Sequence, residues 1–242
     1  MTRQASGGLF APTRWTLVLA AGRNDTARAQ AALAELCQTY WYPLYAFIRH
    51  RGHAPHDAQD LTQEFFTRLL EKNALADLTR ERGKFRSFLL TAVKHFLVDE
   101  WRKAQSEKRG GGRVISLDAA AAEHRFAREP VDAVTPEKLF EQNWALALLD
   151  AVYRRLQLEY EQAGKAALFA TLKFCLTGAR SAAPYAELAE KLGTTESNVK
   201  TLVSRLRQRY RELLRDEVAQ SVADGAEVEE ELNCLFRAIA GL

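Results

Sequence analysis

The sequence predicts an all-α fold, with two small helical bundles joined by a flexible linker. Apolar residues recur at steps of three and four along most of the 242 positions, which is the spacing of one helix face. Strand-like alternation extends over no more than a few residues. Around residues 105–136 the composition changes, with runs of glycine and alanine that are typical of a linker. Hydrophobic residues make up 47% of the chain, enough to fill a core in each bundle.

These patterns divide the chain into five segments. We predict an N-terminal extension over residues 1–25, a first bundle over 26–104 and the linker over 105–136. A second bundle follows over 137–215, and an acidic C-terminal helix covers 216–242.

The composition argues against several classes of protein. Cys37, Cys175 and Cys234 are widely separated and form no paired motif, which disfavours a disulfide framework or a zinc site. No apolar run is long enough to cross a bilayer, and the N-terminus lacks the pattern of a secretory signal. The net charge of +3 is small, so its distribution matters more than its sum. We expect a cytoplasmic protein with no membrane contact.

The second helix of the first bundle carries a row of acids. The first helix starts near residue 26 and ends near Gly52, and the second begins at Pro55. Asp57, Asp60 and Glu64 share one face of this second helix, while its leucines and phenylalanines point the other way. The acids form either a partner surface or an ordinary solvated face.

The third helix, from about residue 85 to residue 103, is apolar on one face and basic beside it. From Thr79 to Lys103, seven lysines and arginines stand against three acids. With Trp101 and His95 among them, these cations would suit a phosphate backbone and an unstacked base. A merely solvated basic face is the alternative.

Helical spacing resumes at Pro136, after the linker sequence RGGGR and a short helical turn near the alanine run Ala119–Ala122. Two helices then lead to Gly178. The stretch Tyr185–Arg211 is typical of a helix-turn-helix. Its first helix must end at Gly193, and Thr195 can cap the second. The second helix has a basic, hydrogen-bonding face like those that lie in a DNA major groove, although a helical hairpin with a solvated face is the alternative.

The tail after Arg215 is acidic, with seven acids against Arg237, and it also has the apolar spacing of one amphipathic helix. Two placements are open. The tail folds back on the basic helix and holds the protein closed, or it completes the second bundle.

Three motifs resemble those of the extracytoplasmic-function sigma factors of bacterial RNA polymerase. The sequence DAQDLTQEFFTRLL resembles the family's D-A-E-D-L-x-Q-E-x-F motif. FRSFLLTAVKHFLVDEWRK is similar to the helix that follows it in the family, and YAELAEKLGTTESNVKTLVSRLRQR is similar to the family's helix-turn-helix. The resemblance covers about Trp15–Lys103 and Glu137–Leu214. The opening FAPTRWTLV also resembles a subgroup found beside bacterial Ser/Thr kinases.

The resemblance implies a division of labour between the bundles. The first would be the sigma-two domain, which binds the β′ clamp helices of core RNA polymerase and reads the minus-ten promoter element. The second would be the sigma-four domain, which reads the minus-thirty-five element and binds the β flap. The residues implied for core polymerase are Asp57, Gln59, Asp60 and Glu64. Those implied for minus-ten DNA are Arg80, Arg82, Lys84, Arg86, Lys94, His95 and Arg102. Those implied for minus-thirty-five DNA are Lys200, Thr201, Ser204 and Arg205.

Gln59 departs from the family motif, which has glutamate at this position. Thr62 lies three residues on, and a phosphate there would add a charge of about −1.5 to −2. We predict that a Ser/Thr kinase phosphorylates Thr62 and so switches on polymerase binding; a plain helix-surface threonine is the alternative. An anti-sigma factor is a further partner that the resemblance suggests.

Two other functions compete. A stand-alone helix-turn-helix regulator would bind duplex DNA without polymerase, but it would need a dimer interface or sensor domain that the sequence does not clearly provide. An enzyme could use the closely spaced His50, His53 and His56 to bind a metal. No further clustered ligand, phosphate-binding glycine loop or nucleophile–base pattern accompanies them. We therefore expect no catalytic residue, no metal and no cofactor.

Overall fold

The computed structural model describes residues 27–70, 84–106, 119–127, 135–176 and 185–240. Within these ranges the regular structure is helical, apart from one isolated antiparallel bridge between Lys84 and Val222. The all-α prediction is therefore confirmed for the described part of the chain. The predictions for the N-terminal extension, for Arg80 and Arg82, and for the glycine-rich part of the linker fall outside the described residues.

The helices follow the predicted spacing closely. In chain order they are α1 (Ala27–His50), α2 (Pro55–Leu70), α3 (Phe85–Ser106), α4 (Ala119–Phe126), α5 (Pro136–Gln162), α6 (Ala166–Leu172), α7 (Tyr185–Leu192), α8 (Glu196–Ala219) and α9 (Val228–Ala240). Short 3-10 turns at Lys173–Cys175 and Gly225–Glu227 follow α6 and precede α9.

The described residues divide into two compact units that differ from the predicted bundles at their edges. The first unit contains the residues up to Ala147 and those from Val218 onward, and the second is Leu148–Glu217. The boundaries therefore fall inside α5 and near the end of α8. The acidic tail belongs to the first unit, so both placements predicted for it, on the basic helix or in the second bundle, are wrong.

Aromatic side chains from three helices fill the core of the first unit. Tyr40 of α1 meets Phe85 of α3 edge to face, with ring centroids 5.0 Å apart. Phe65 of α2 packs in the same way on Phe96 of α3, at 5.6 Å. Such aromatic pairs each add about 0.5–1.5 kcal/mol beyond the area they bury. These contacts hold α2 so that its opposite face is turned to solvent.

The short helix α4 docks on the first unit. Glu123 accepts hydrogen bonds from the Tyr45 hydroxyl and from Arg49 Nε, the latter at 2.7 Å. The Arg49 guanidinium also lies 4.5 Å from the centre of the Phe126 ring. A segment predicted as a linker with a helical turn is thus attached to α1 at this point.

In the second unit, α7 and α8 meet at the turn that the sequence predicted. Gly193 has φ +60°, the left-handed conformation that favours glycine at a helix end. The Thr195 hydroxyl then accepts a hydrogen bond from the Asn198 amide at 3.3 Å and caps α8. Val199, Val203 and Leu206 are buried along one stripe of α8. The opposite stripe is therefore available at the surface.

Candidate binding surfaces

The acids of α2 lie at the surface. Asp57, Asp60 and Glu64 are exposed, and Gln59 is half-buried. Asp60 lies 3.1 Å from His56 Nδ1, and Glu64 accepts from Arg68 at 2.7 Å, each pair four residues apart on the same helix. We call Asp57, Asp60 and Glu64 the acidic face. Since exposed pairs of this kind contribute little stability, the carboxylates can exchange these partners for others at small cost.

Thr62 lies on the side of α2 opposite the acidic face. The prediction that Thr62 lies at the helix surface, where a kinase could phosphorylate it, is wrong. The side chain is fully buried, and its hydroxyl donates to the Ala58 carbonyl oxygen at 2.6 Å. Its neighbours along the stripe are Ala58, Phe65 and Phe66, all buried. A phosphate acceptor in this position is inconsistent with the packing of the helix, because a kinase cannot reach the hydroxyl.

From Lys94 onward, α3 presents a basic and aromatic surface, which we call the open half of α3. Trp101 is 62% exposed, and the Arg102 side chain is 70% exposed at 3.6 Å from Asp99. His95 is exposed as well. Lys94 is partly covered, since its ammonium lies 3.0 Å from Glu137 of α5. Among the described residues of the predicted minus-ten surface, Lys94, His95 and Arg102 therefore remain accessible to solvent, with Trp101 beside them.

The start of α3 is covered by acids. Lys84 pairs with Glu230 at 2.8 Å and with Glu231 at 3.4 Å, and its side chain is 14% exposed. Arg86 is 6% exposed. Its Nε and Nη2 donate to the two Glu231 oxygens at 3.0 and 3.1 Å, and its Nη1 donates to Glu141. The prediction that Arg86 lines an open DNA path is therefore wrong for this conformation.

Arg86 stays charged in its buried position. Burial acts to lower the pKa of the guanidinium, but the hydrogen bonds and charge of Glu231, with the charge of Glu141, outweigh it and leave the pKa raised. The guanidinium also stacks 4.7 Å from the Trp144 ring centre. A cation buried in this way needs its carboxylates, because a lone buried charge costs several kcal/mol, about 3–5 kcal/mol when one partner is removed.

The predicted minus-thirty-five residues stand together on one face of α8. Lys200, Thr201, Ser204 and Arg205 are all exposed, opposite the buried stripe of the same helix. We call these four residues the α8 face. Spacings of three and four residues place them side by side, so the face offers two cations and two hydroxyls to one target.

Other arginines of α8 serve the second unit itself. Arg209 forms a two-pronged pair with Glu159, with both N–O distances 2.8 Å. Arg207 donates to the Cys175 carbonyl oxygen at 2.9 Å. These contacts fix the rotation of α8 about its axis and so direct the α8 face outward.

Two of the three closely spaced histidines have other side-chain contacts. The His50 ring lies 4.7 Å from that of Phe126, and His56 pairs with Asp60 as described. In the ranges that the structure describes, no three potential metal ligands come together. None of the described helices is long and apolar enough to span a bilayer.

Comparison with known proteins finds similarity to sigma factors. Residues 36–107 match sigma-70 region 2. The chain is also 28% identical over 194 residues to the ECF RNA polymerase sigma factor BldN of Streptomyces coelicolor. Together the two similarities support an extracytoplasmic-function RNA polymerase sigma factor. The aligned part covers 78% of this chain and 64% of BldN, which is less than two thirds of that relative. No solved structure matches this chain.

The region 2 match places two of the surfaces in one recognised domain. It runs from α1 to the end of α3 and so includes the acidic face and the open half of α3. The α8 face lies outside the region 2 match. Membership of the subgroup found beside Ser/Thr kinases stays a prediction.

Sequence reasoning missed the acids that cover the start of α3. They are Glu141, Glu230 and Glu231. One signal was present in the sequence: Glu231 shares the apolar stripe of α9 with Val228, Leu235 and Ala238. A glutamate in such a stripe must be buried with a cation, although the spacing does not say which cation.

Proposed function

We propose that this sigma factor binds core RNA polymerase and directs it to promoters. One observation carries the proposal: the chain matches region 2 at residues 36–107, and that stretch exposes an acidic row beside a basic, aromatic helix. A protein that must bind both a polymerase subunit and nucleic acid needs surfaces of both signs. Such a role places the sigma factor in the cytoplasm, with the chromosome.

The acidic face is the proposed contact for the β′ clamp helices. Its three carboxylates are exposed, and Asp60 and Glu64 pair with neighbours on their own helix. Gln59 supplies a neutral hydrogen-bonding side chain at the edge of the face. Opposite charge across an interface raises the association rate and fixes the register of the two surfaces.

The open half of α3 is the proposed contact for the minus-ten element. Trp101 offers a flat ring to an unstacked base, and stacking of this kind is worth about 1–3 kcal/mol per base. His95, Lys94 and Arg102 would contact the phosphates beside it. Lys84 would join them once Glu230 is displaced, and Arg80 and Arg82 precede it in the sequence.

The α8 face is the proposed reader of the minus-thirty-five element, with α7 and α8 acting as a helix-turn-helix. Lys200 and Arg205 can each contact a guanine edge, worth about 1–3 kcal/mol of discrimination against the wrong base. Thr201 and Ser204 would add hydrogen bonds to bases or phosphates. The second unit would also bind the β flap.

Two further proposed partners are an anti-sigma factor and a kinase. An anti-sigma factor is proposed from the family alone. A kinase would require an acceptor other than Thr62 in its packed position; Thr67 is exposed on the same helix.

The test is binding and transcription with core RNA polymerase. The purified full chain is mixed with core enzyme, the complex is captured, and transcript starts are mapped on genomic DNA. The double variant D60K/E64K reverses two charges of the acidic face, and we expect polymerase affinity to fall about tenfold or more.

The matched control reverses two exposed acids elsewhere. D150K/E161K changes α5, and Asp150 has an arginine four residues on, as Glu64 does. We expect this variant to bind core enzyme like the wild type. If the wild type bound duplex DNA specifically but never core polymerase, the chain would be a stand-alone regulator.

A further inference from the structure

The segment 218–240, which we call the C-terminal segment, is built into the first unit at the start of α3. The Phe85 amide donates to the Ser221 carbonyl oxygen at 3.0 Å, next to the bridge between Lys84 and Val222. Val222, Val228 and Leu235 of the segment are buried. This docking is specific, because it combines backbone pairing with an apolar contact.

The segment places carboxylates on the cations at that point. Glu231 has no exposed surface, and its two carboxylate oxygens accept hydrogen bonds from Arg86 at 3.0 and 3.1 Å. Glu230 remains exposed and reaches Lys84 at 2.8 Å. The Lys84 hydrogen bond lowers the pKa of Glu230 below its usual range.

A carboxylate is a chemical substitute for a phosphate, since both present oxygens that accept two N–H donors side by side. Lys84 and Arg86 cannot give the same donors to Glu230 and Glu231 and to a nucleic-acid backbone. Glu141 of α5 occupies Arg86 in the same way. The basic start of α3 is therefore closed to DNA while the open half of the helix is not.

We propose that the C-terminal segment is an autoinhibitory latch that competes with single-stranded promoter DNA for the start of α3. The inference rests on the proposed function and adds regulation to it. The free sigma factor holds the latch closed, and polymerase together with melted DNA displaces it. A segment that were only a structural part of the first unit would stay docked in the transcribing complex.

Hydrogen exchange in the full chain tests the displacement. Amides of residues 231–240 are followed in the free protein, then with core polymerase, and then with core polymerase and promoter DNA. The latch predicts that exchange of these amides speeds up about tenfold or more when DNA is added, since opening removes their helix. Unchanged protection in a complex that makes transcript would overturn the latch.

A full-chain variant tests the competition directly. E230Q removes the exposed half of the latch, while Glu231 is left in place because its loss would leave Arg86 with Glu141 alone and destabilise the free protein. The probe is a short, fluorescent single-stranded DNA of mixed sequence. We expect E230Q to bind it about two- to five-fold more tightly than the wild type, the size expected from one exposed ion pair.

The control E161Q makes the same charge change at an exposed position of α5 and should leave the affinity unchanged. Equal affinities for E230Q, E161Q and the wild type would overturn the latch. Run-off transcription with the same preparations separates the two proposals. A wild type that never supports transcription contradicts the proposed function, whereas active transcription with no effect of E230Q contradicts the latch alone.

Discussion

The face of a helix on which a polar residue lies determines whether its side chain is exposed to a binding partner or buried in the core. On α2, Asp60 and Glu64 face solvent, while Thr62 between them is fully buried. The Thr62 hydroxyl needs no partner outside its own helix, because the Ala58 carbonyl oxygen accepts its hydrogen bond at 2.6 Å. Threonine can therefore occupy a core position at little cost, and a charged side chain cannot.

Substitutions at Thr62 should separate the core position from a signalling role. We predict that T62E, a mimic of phosphothreonine, destabilises the first unit by about 3 kcal/mol or more, because it buries an unpaired charge. Thermal unfolding followed by circular dichroism measures the loss.

The matched control is T67E, at an exposed threonine of the same helix with the same hydroxyl contact, to Gln63. It should change stability by less than about 0.5 kcal/mol. A T62E protein that unfolds like the wild type and binds polymerase more tightly would restore the phosphorylation hypothesis.

Residue spacing predicted much of the site but not its ion pairs. The exposure of Lys200 and Arg205 follows from the apolar stripe of α8. Arg86, however, stands three and seven residues before Leu89 and Val93, which are fully buried, and so lies on the apolar stripe of α3. That position signals burial, and reading the arginine by charge alone misplaced it. Its partner lies 145 positions away, which no local pattern specifies.

Among the elements, α4 shows how a short helix is held by one carboxylate. An eight-residue helix is marginal by itself, so its order depends on docking. Burial acts to raise the pKa of Glu123, but hydrogen bonds from Arg49 and Tyr45 outweigh it and leave the pKa below its usual value of 4.5. Folding is thus coupled to ionisation of this group.

We predict that α4 undocks in acid. A carboxylate with a lowered pKa contributes stability that is complete above pH 4.5 and is lost as pH falls through its folded value. Hydrogen exchange of residues 120–126, measured over a series of pH values below 4.5, should speed up as Glu123 is protonated.

The variant E123Q should show fast exchange of the same amides at neutral pH and little further change in acid. The control E161Q alters an exposed glutamate of α5 and should keep the wild-type profile. Slow exchange in E123Q at neutral pH would mean that Arg49 and Phe126 hold the helix without the carboxylate.

Element boundaries were predictable because their signals are local. Gly193 and Thr195 specify where α7 ends and α8 begins, through a left-handed turn and a cap. The positions at which α4 and α9 pack could not be predicted. Amphipathic spacing shows that a helix has an apolar face, but it does not show which element covers that face. The charge of α9 favoured the basic α8, whereas the structure pairs it with Lys84 and Arg86.

For the whole molecule, two exposed faces of opposite charge lie in different units. The acidic face belongs to the first unit and the α8 face to the second, so changes in one should leave the affinity of the other unaltered. Salt should affect them differently as well, because DNA binding releases counterions from every neutralised phosphate.

We predict that K200A and R205A weaken binding to promoter duplex but not to core polymerase. A cation that contacts phosphate lowers the dependence of log affinity on log salt by about one unit when removed, and one that reads a base relaxes sequence preference instead. Titrations at several salt concentrations, on promoter and scrambled duplex, distinguish the roles.

The control K165A removes an exposed lysine of the second unit at the start of α6 and should leave both the slope and the preference nearly unchanged. Equal losses for K165A, K200A and R205A would mean that the second unit attracts DNA by overall charge, without a defined reading face.

The docking of the C-terminal segment has a consequence for biosynthesis. Lys84 and Glu230 are 146 positions apart, so the ribosome must translate most of the chain before the anion for that cation exists. Until then the nascent first unit has an unfilled groove and unneutralised cations, the state in which it would bind nucleic acid without restraint. A stop codon or protease cut ahead of residue 218 would preserve that immature state, producing a fragment that is both unstable and unregulated.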